Sequence, residues 1–356
     1  MKAIGYQDNL SIDNEMALQD ITIDTPVASG RDVLVEVKAI SVNPVDYKIR
    51  EARPAAEGEF AVIGWDAAGV VTAAGVVTAV GEDVSLFSIG DRVYYAGDLT
   101  RSGSNAEYQL VDERIVGRMP ESLSFSEAAA LPLTTITAWE MLFDRLQVPV
   151  ASSENSDDTK TTESRPTILV VGAAGGVGSI MTQLLKTRTQ AVIIGTASRD
   201  ESVKWLKTLG ADYVINHHNP LSDELKNTGI TEVDYVVSLN NTEEHYAEII
   251  KCLKPQGKLG LIDDPKTLDA NALKLKSLSL HWEFMFARSM FTTPDMIEQH
   301  RLLNQVATMI DAGKLKTTVA HELGAITASN LRRAHQMLEN REAHGKIVLE
   351  GWSVKY

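Results

Sequence analysis

The sequence is short of cysteine, of positive charge and of long apolar runs. Its single cysteine, Cys252, has no partner for an internal disulfide and cannot by itself build a multi-thiolate metal site. In the run EIIKCLKPQG it closes a helical pattern, where it reads as a small buried apolar residue. Lysine and arginine number 34 against 48 aspartates and glutamates, a formal net charge of −14. A duplex binder needs a basic face to displace counterions, and no local patch overrides the acidic excess, so nucleic acid is not an expected partner. No window approaches about 18 uninterrupted apolar residues, so no membrane-spanning helix is expected. The opening MKAIGYQDNLSIDNE turns polar within a few positions, which leaves no room for the apolar stretch of a signal peptide. The cytoplasm is the expected location.

What is present is the composition of a globular protein, 44 % hydrophobic and 23 % charged over 356 residues. At about 150 residues per domain that length suggests roughly two domains. Up to about residue 130 the chain reads as strands and turns. RDVLVEVKAISV is rich in β-branched residues, GDRVYYAG is a turn entering an aromatic strand, and NAEYQLVDERIVGRMP reads as one strand ending at proline. Short strands spaced this way predict a barrel. From Ser124 a helical pattern begins with capping signals at Ser124, Ser126 and Glu127, and Pro132 is expected to break or kink it. Residues 151–165 hold no large apolar side chain, and an exposed, mobile loop is expected there.

Beyond that loop, TILVVG, AVIIGTAS, DYVIN and GKLGLID alternate with helical patterns, which predicts βαβ units and a parallel sheet. The last part of the chain gives two amphipathic helices, around MIEQHRLLNQVATMIDAGKLK and ASNLRRAHQMLEN, and a closing strand GKIVLEG. A doubled hexapeptide, GVVTAAGVVTAV at 69–80, keeps the strand alternation because six is even; it reads as a tolerated duplication without chemistry.

The strongest motif is Thr167-Ile-Leu-Val-Val-Gly172-Ala173-Ala174-Gly175-Gly176-Val177-Gly178, a buried strand running through a glycine-rich turn into a helix. That is the context a dinucleotide fingerprint requires. Gly175 would let the backbone approach a pyrophosphate, and Gly178 would let the helix pack on the strand. The helix N-terminus would offer amides and a positive dipole end to the anion. Ala173 stands where the first glycine of the fingerprint usually does. After the next strand comes Ser198-Arg199, where an acid would take the ribose hydroxyls of NAD. A hydroxyl plus an arginine suits a ribose phosphate, so NADP is favoured, against the alternative of a solvated cap in which Asp200 repels phosphate. Lys204 and His217 are candidates for the same phosphate, and the His217-His218 pair reads alternatively as a polar loop.

Asn43-Pro-Val-Asp-Tyr-Lys-Ile-Arg50, Gly64-Trp-Asp-Ala-Ala-Gly69, Gly90-Asp-Arg-Val93, Leu131-Pro-Leu-Thr-Thr-Ile-Thr-Ala-Trp139 and Ser279-Leu-His-Trp-Glu-Phe-Met-Phe286 complete a pattern with the glycine loop. Together they resemble the medium-chain dehydrogenase/reductase superfamily. The resemblance points to its zinc-free quinone oxidoreductase branch, nearest the proteins labelled zinc-type alcohol dehydrogenase-like. It implies a GroES-like partly open β-barrel domain, residues 1–133 completed by 296–356, with a Rossmann domain at 134–295. Zinc enzymes of the superfamily hold their catalytic metal with Cys, His and Cys. Here Asn43 takes the first position and Trp65 replaces the histidine, so no zinc is expected.

By the same resemblance Asn43 would contact the nicotinamide or substrate, and Lys48 would donate to an enolate oxygen or to cofactor. Tyr47 would be an alternative donor, and Asp46 would orient the turn. The competing reading makes Asn43-Pro-Val-Asp46 a structural turn. Thr137 would touch the nicotinamide end, and Ser238, Leu239, Asn240, Leu261, Ile262 and Asp263 would border the cofactor. Lys346 would neutralise a cofactor phosphate. Trp65, Trp282, Phe284 and Met285 would form a substrate wall or, alternatively, core. The expected function is NADPH-dependent hydride transfer to a quinone, enone or similar small carbonyl compound, by a homodimer. The alternatives are an alcohol dehydrogenase or ketone reductase of the same superfamily, or a non-catalytic NADPH-binding sensor.

Overall fold

The computed structural model describes residues 1–72, 80–151 and 165–352. Most of the doubled hexapeptide (73–79) and of the polar insert (152–164) lies outside the described residues. The chain divides into two compact units, Met1–Ile136 with Phe286–Tyr356, and Thr137–Met285.

The first leg of the first unit carries strands β1 (Lys2–Tyr6), β2 (Gln19–Thr22), β3 (Asp32–Val42), β4 (Ala61–Val62), β5 (Asp66–Val71), β6 (Arg92–Tyr95), β7 (Tyr108–Asp112) and β8 (Val116–Arg118). Helices α1 (Pro44–Ala52) and α2 (Phe125–Ala129) accompany them, and α3 (Pro132–Trp139) begins in this unit and ends in the second. The run expected to be one strand is two, because a 3-10 turn at Glu113–Ile115 separates β7 from β8. Glu113 causes the break. Its fully buried carboxylate accepts the amides of Ser85 and Leu86 at 2.8 and 2.7 Å, and tying down that loop takes the backbone out of the ladder. Proline ends one helix and starts the next. α2 opens with reciprocal bonds between Ser124 and Glu127, and Pro132 is the first residue of α3, where a missing N–H costs nothing. After Trp139 the helix widens into a π-turn, Glu140–Arg145.

The second unit continues with β9 (Thr167–Val171), α4 (Gly176–Arg188), β10 (Val192–Thr196), α5 (Asp200–Leu209), β11 (Tyr213–Ile215), α6 (Leu221–Asn227), β12 (Val233–Ser238), α7 (Thr242–Cys252), β13 (Leu253–Leu261) and β14 (Ser279–Trp282). The six strands are parallel, in the order β11-β10-β9-β12-β13-β14. Every residue of β9 and β10 is buried, as strands covered on both faces must be. Cys252 is fully buried in this core with Leu169, Val236 and Leu259. The order reverses between β9 and β12, and in such sheets the ligand crevice lies at the carboxyl ends beside that reversal.

The chain returns to the first unit through α8 (Ala287–Met290), α9 (Glu298–Asp311), β15 (Val319–Glu322), α10 (Ala328–Glu339) and β16 (Lys346–Glu350). Its larger sheet runs β15-β16-β3-β5-β6-β8 with β7 also on β3, and its smaller one β2-β1-β4. β16 pairs antiparallel with β3, so Ile347 sits opposite Val42. No helix among the described residues is long and apolar enough to cross a membrane.

One packing feature makes this unit sensitive to acid. His335 on α10 is fully buried, and neither ring nitrogen has a hydrogen-bond partner among the described residues. Burial, reinforced by the charge of Arg50, pushes its pKa down from 6.5 to about 3. The unfolded chain therefore binds the extra proton first, and this contribution to stability is lost as pH falls below the unfolded value. The group alone is expected to cost about 2 kcal/mol between neutrality and roughly pH 5. Thermal denaturation across that range should show His335→Leu with a shallower slope than the wild type; equal slopes would contradict it.

Candidate functional site

The glycine loop divides its labour among three glycines. Gly172 leaves β9 at φ +79, a conformation L side chains avoid, and a Cβ there would lie 2.8 Å from Asn240 Oδ1. The tight turn expected of the fingerprint's first glycine is therefore made one residue before Ala173, which is fully buried. A Cβ on Gly178 would lie 2.3 Å from the Ala173 carbonyl oxygen, so the close packing of α4 on the strand end requires glycine. A Cβ on Gly175 would meet nothing nearer than the Gly172 oxygen at 3.5 Å. The space beside Gly175 is thus open at the N-terminus of α4, where Gly176, Val177 and Gly178 have no carbonyl of their own helix to donate to. Residues, backbone and dipole fit a dinucleotide pyrophosphate. Thr196, at the end of β10, accepts the Gly172 amide at 3.0 Å and fixes the loop to the neighbouring strand.

Around this loop the structure gathers part of the expected set. Ser198 and Arg199 are exposed just after β10, and Arg199 caps α5. Lys204 is exposed on α5, while His217 is half-buried beyond β11. Leu239 donates its amide to Val171 at 3.1 Å, which brings the end of β12 beside the loop, with Asn240 against Gly172. Asp263 holds the neighbouring strand end in place. It accepts the Thr242 amide at 2.8 Å and the Thr242 hydroxyl at 2.5 Å, and Ser238 Oγ lies 2.8 Å from that hydroxyl. Leu261 and Thr137 are buried, and Ile262 is half-buried.

In the first unit the expected catalytic turn is a buried polar network. Asn43 is 1 % exposed; its Nδ2 donates to Asp66 Oδ2 at 2.8 Å and its backbone amide to Asp46 Oδ2 at 2.8 Å. Asp66 also accepts the Leu133 amide at 2.7 Å, at the start of α3. Lys346 enters from β16 and is 3 % exposed. Its ammonium donates to Val42 O at 3.2 Å, to Asp66 Oδ2 at 2.9 Å and to Asn43 Oδ1. Those three bonds exhaust the donors of an ammonium. Lys346, expected on a cofactor phosphate, instead neutralises Asp66, because β16 lies against β3 and carries it into the barrel unit. Asn43, expected to touch nicotinamide or substrate, has both ends of its amide engaged in this network.

Burial pushes the Asp46 carboxyl up to about 7, against the Asn43 amide and the Lys346 charge and with help from Asp66. Its Oδ2, accepting the Asn43 amide, closes the first turn of α1. On the same helix Tyr47 is half-buried and Lys48 exposed.

The donor set does not fit zinc. The Asn43 amide oxygen is bonded to an ammonium, and Trp65 is a buried indole whose Nε1 donates to Asp98 O at 3.1 Å. Cys252 belongs to the second unit's core, where burial pushes its thiol up to about 12, away from the thiolate zinc needs. Among the described residues no group of three or more His, Cys, Asp or Glu is placed to hold a metal.

The proposed aromatic wall separates into core and surface. Trp65 is 2 % exposed and packs edge-on against Phe286, with ring centroids 6.1 Å apart, and Met285 is 3 % exposed. Trp65 and Met285 are core, whereas Trp282 on β14 is 51 % and Phe284 50 % exposed. Two features escaped the sequence reading. One is Asp66 itself, and its signal was a lone acid opening the apolar strand DAAGVV. The other is the buried pair Glu140 and Glu283, with Arg145 Nε donating to Glu283 Oε2 at 2.8 Å. Burial, then the charge and hydrogen bond of Glu140, raise the Glu283 carboxyl against Arg145, so the pair retains a proton.

Comparison with known proteins matches residues 29–121 to the alcohol dehydrogenase GroES-like domain and 209–349 to a zinc-binding dehydrogenase family. A zinc-type alcohol dehydrogenase-like protein of Staphylococcus aureus is 40 % identical over 98 % of this chain and 99 % of its own. The crystal structure of a putative zinc-dependent alcohol dehydrogenase protein from Rhizobium etli superposes with a TM-score of 0.91 at 48 % identity, covering 99 % of each chain. The 2-methylene-furan-3-one reductase of Solanum lycopersicum is 35 % identical over 61 % of this chain and 52 % of its own.

Proposed function

The chain belongs to the medium-chain dehydrogenase/reductase superfamily, whose members use NAD(P), and on that premise we propose that it is an NADPH-dependent, zinc-independent oxidoreductase. Its acceptor is a quinone, an enone or a similar small conjugated carbonyl compound. The observation that carries this reading is the Lys346 ammonium bonded to Asn43 and Asp66, which leaves a charge-balanced protein network where a zinc enzyme needs metal donors. The resemblance to a furanone reductase supports the acceptor class.

When bound, the cofactor supplies hydride; the chain's own residues do the rest. Gly176, Val177 and Gly178 would hold the pyrophosphate through backbone amides beside the open space at Gly175, whose own amide bonds Gly172 O, while Ser198 and Arg199 would favour the phosphorylated ribose. Without a Lewis acid, negative charge developing on the acceptor oxygen needs a hydrogen-bond donor, a role we give to Lys48 with Tyr47 as the alternative. Conjugation spreads that charge, which is why conjugated acceptors rank above simple ketones. A homodimer formed along β14, the edge strand bearing the exposed Trp282, belongs to the same reading and is checked by sedimentation.

The test is steady-state oxidation of NADPH and NADH against quinones, enones, aldehydes and ketones. NADPH turnover with conjugated acceptors is expected, and Lys48→Ala should lower kcat by about 100-fold without changing NADPH affinity, the loss typical for one oxyanion donor. Turnover confined to saturated alcohols or ketones would favour the alcohol dehydrogenase reading. Tight NADPH binding without turnover would favour the sensor.

A further inference from the structure

We propose that His217, His218 and His245, together with Arg199, form a proton-coupled phosphate site: an adenosine 2′-phosphate binds there with proton uptake by the imidazoles. Its affinity therefore rises as pH falls, while that of the same nucleotide without the phosphate does not. The inference rests on the NADPH reading above and adds the regulation of that site.

The three rings come from two places in the fold. His217 and His218 follow β11, and their ring centroids are 4.7 Å apart. His245 lies in the first turn of α7, and its ring meets that of His217 edge-on at 6.3 Å. Arg199 caps α5 immediately after β10, and its charge acts on His217. β10 and β11 are neighbouring parallel strands, so these groups gather at the carboxyl edge of the sheet. His217 and His245 are half-buried and His218 is exposed, and His217 Nδ1 is buried with no hydrogen-bond partner among the described residues.

The charges around His217 come from every flanking element. On α7 stand His245 and, in the same first turn, the exposed Glu243 and Glu244. On α5 stand Arg199, Asp200 and the exposed Lys204, which is not among the charges acting on His217. On α6, Glu224 accepts the Asn216 amide at 3.0 Å and the Asn219 side chain at 2.9 Å. Burial first, then His218, His245 and Arg199, hold His217 below its usual value. Burial and the neighbouring Arg199 thus disfavour the charged form of the His217 ring. A dianionic phosphate reverses the balance, because every cation that opposed protonation then shares a counter-charge with it.

Proton bookkeeping separates this site from the ligand. A phosphate monoester loses its second proton near pH 6, so at about pH 7.5 it arrives almost fully dianionic and takes up nothing itself. Protons gained on binding at that pH therefore enter the imidazoles from solvent.

The experiment is titration calorimetry of the full chain with adenosine 2′,5′-bisphosphate and with adenosine 5′-monophosphate at about pH 7.5. Buffers of low and high ionisation enthalpy report the protons exchanged. The expected result is uptake of at least about half a proton with the bisphosphate and none with the monophosphate. By linkage, the ratio of the two affinities then rises about threefold or more per pH unit lowered towards neutrality. His217→Gln with His245→Gln should remove the uptake and leave monophosphate binding unchanged. Preferential bisphosphate binding without uptake would overturn the inference and leave the NADPH reading intact. Equal affinity for the two nucleotides would overturn the NADPH reading and the inference with it. Equal uptake with both would assign the protons elsewhere.

Discussion

Replacing Gly175 by alanine is expected to weaken NADPH binding by about 100-fold, a loss of about 2.7 kcal/mol, while leaving the fold intact. The two halves of that expectation have separate causes. Gly175 has φ −73 and ψ −179, an extended conformation open to any residue, and its Cβ would meet no atom closer than 3.5 Å. Stability should therefore stay within about 0.5 kcal/mol of the wild type, with a small gain from the stiffer unfolded chain. On the NADPH reading, the methyl group would enter the open space beside the amides of α4 that the pyrophosphate needs, and a close backbone approach tolerates no such group. Gly178→Ala provides the contrast. Its Cβ would lie 2.3 Å from a backbone oxygen, so it should lower both stability and affinity. Fluorescence titration with NADPH beside thermal denaturation separates the cases. Gly175→Ala protein that binds within threefold of wild type would remove the loop from the cofactor site.

Lys346→Met should destabilise the protein by about 3–5 kcal/mol, as removal of one partner from a buried ion pair does. The side chain lost is similar in length, so packing changes little and the cost is electrostatic. Asp66 is fully buried and would keep the Asn43 side chain and the Leu133 amide as donors, but no cation. The double variant Lys346→Met with Asp66→Asn removes both charges and should recover at least about 2 kcal/mol of the single variant's loss. Urea denaturation of the two variants measures this. A cost below about 1 kcal/mol for Lys346→Met would mean that Asp66 is not held as an anion by this lysine.

The second unit was legible in the sequence because its signals are local. β9 and β10 are buried on both faces and so read as unbroken apolar runs, and the glycine spacing that follows β9 records backbone approach directly. Even there the turn-making glycine is Gly172, at φ +79, rather than the position occupied by Ala173. The first unit hid more. Lys346 and Asp66 are 280 residues apart, and nothing near either announces the other until β16 is laid on β3. A lysine opening GKIVLE is equally compatible with a phosphate ligand and with an internal counter-ion; only burial decides. Exposure also decided the aromatics, since a tryptophan at the core (Trp65) and one at a sheet edge (Trp282) look alike in sequence. The proton-sharing Glu140 and Glu283 were invisible for the same reason as Lys346, because their pairing depends on tertiary contact across the unit.

Those findings meet in the claim that hydride transfer here proceeds without metal, with protein donors alone meeting the charge on the acceptor oxygen. The most direct measurement is NADPH oxidation with a quinone by protein exhaustively treated with chelator, its zinc content verified by elemental analysis, before and after zinc is added back. The account predicts the same kcat for untreated, chelated and zinc-supplemented protein. A rate that falls on chelation and returns with stoichiometric zinc would contradict it.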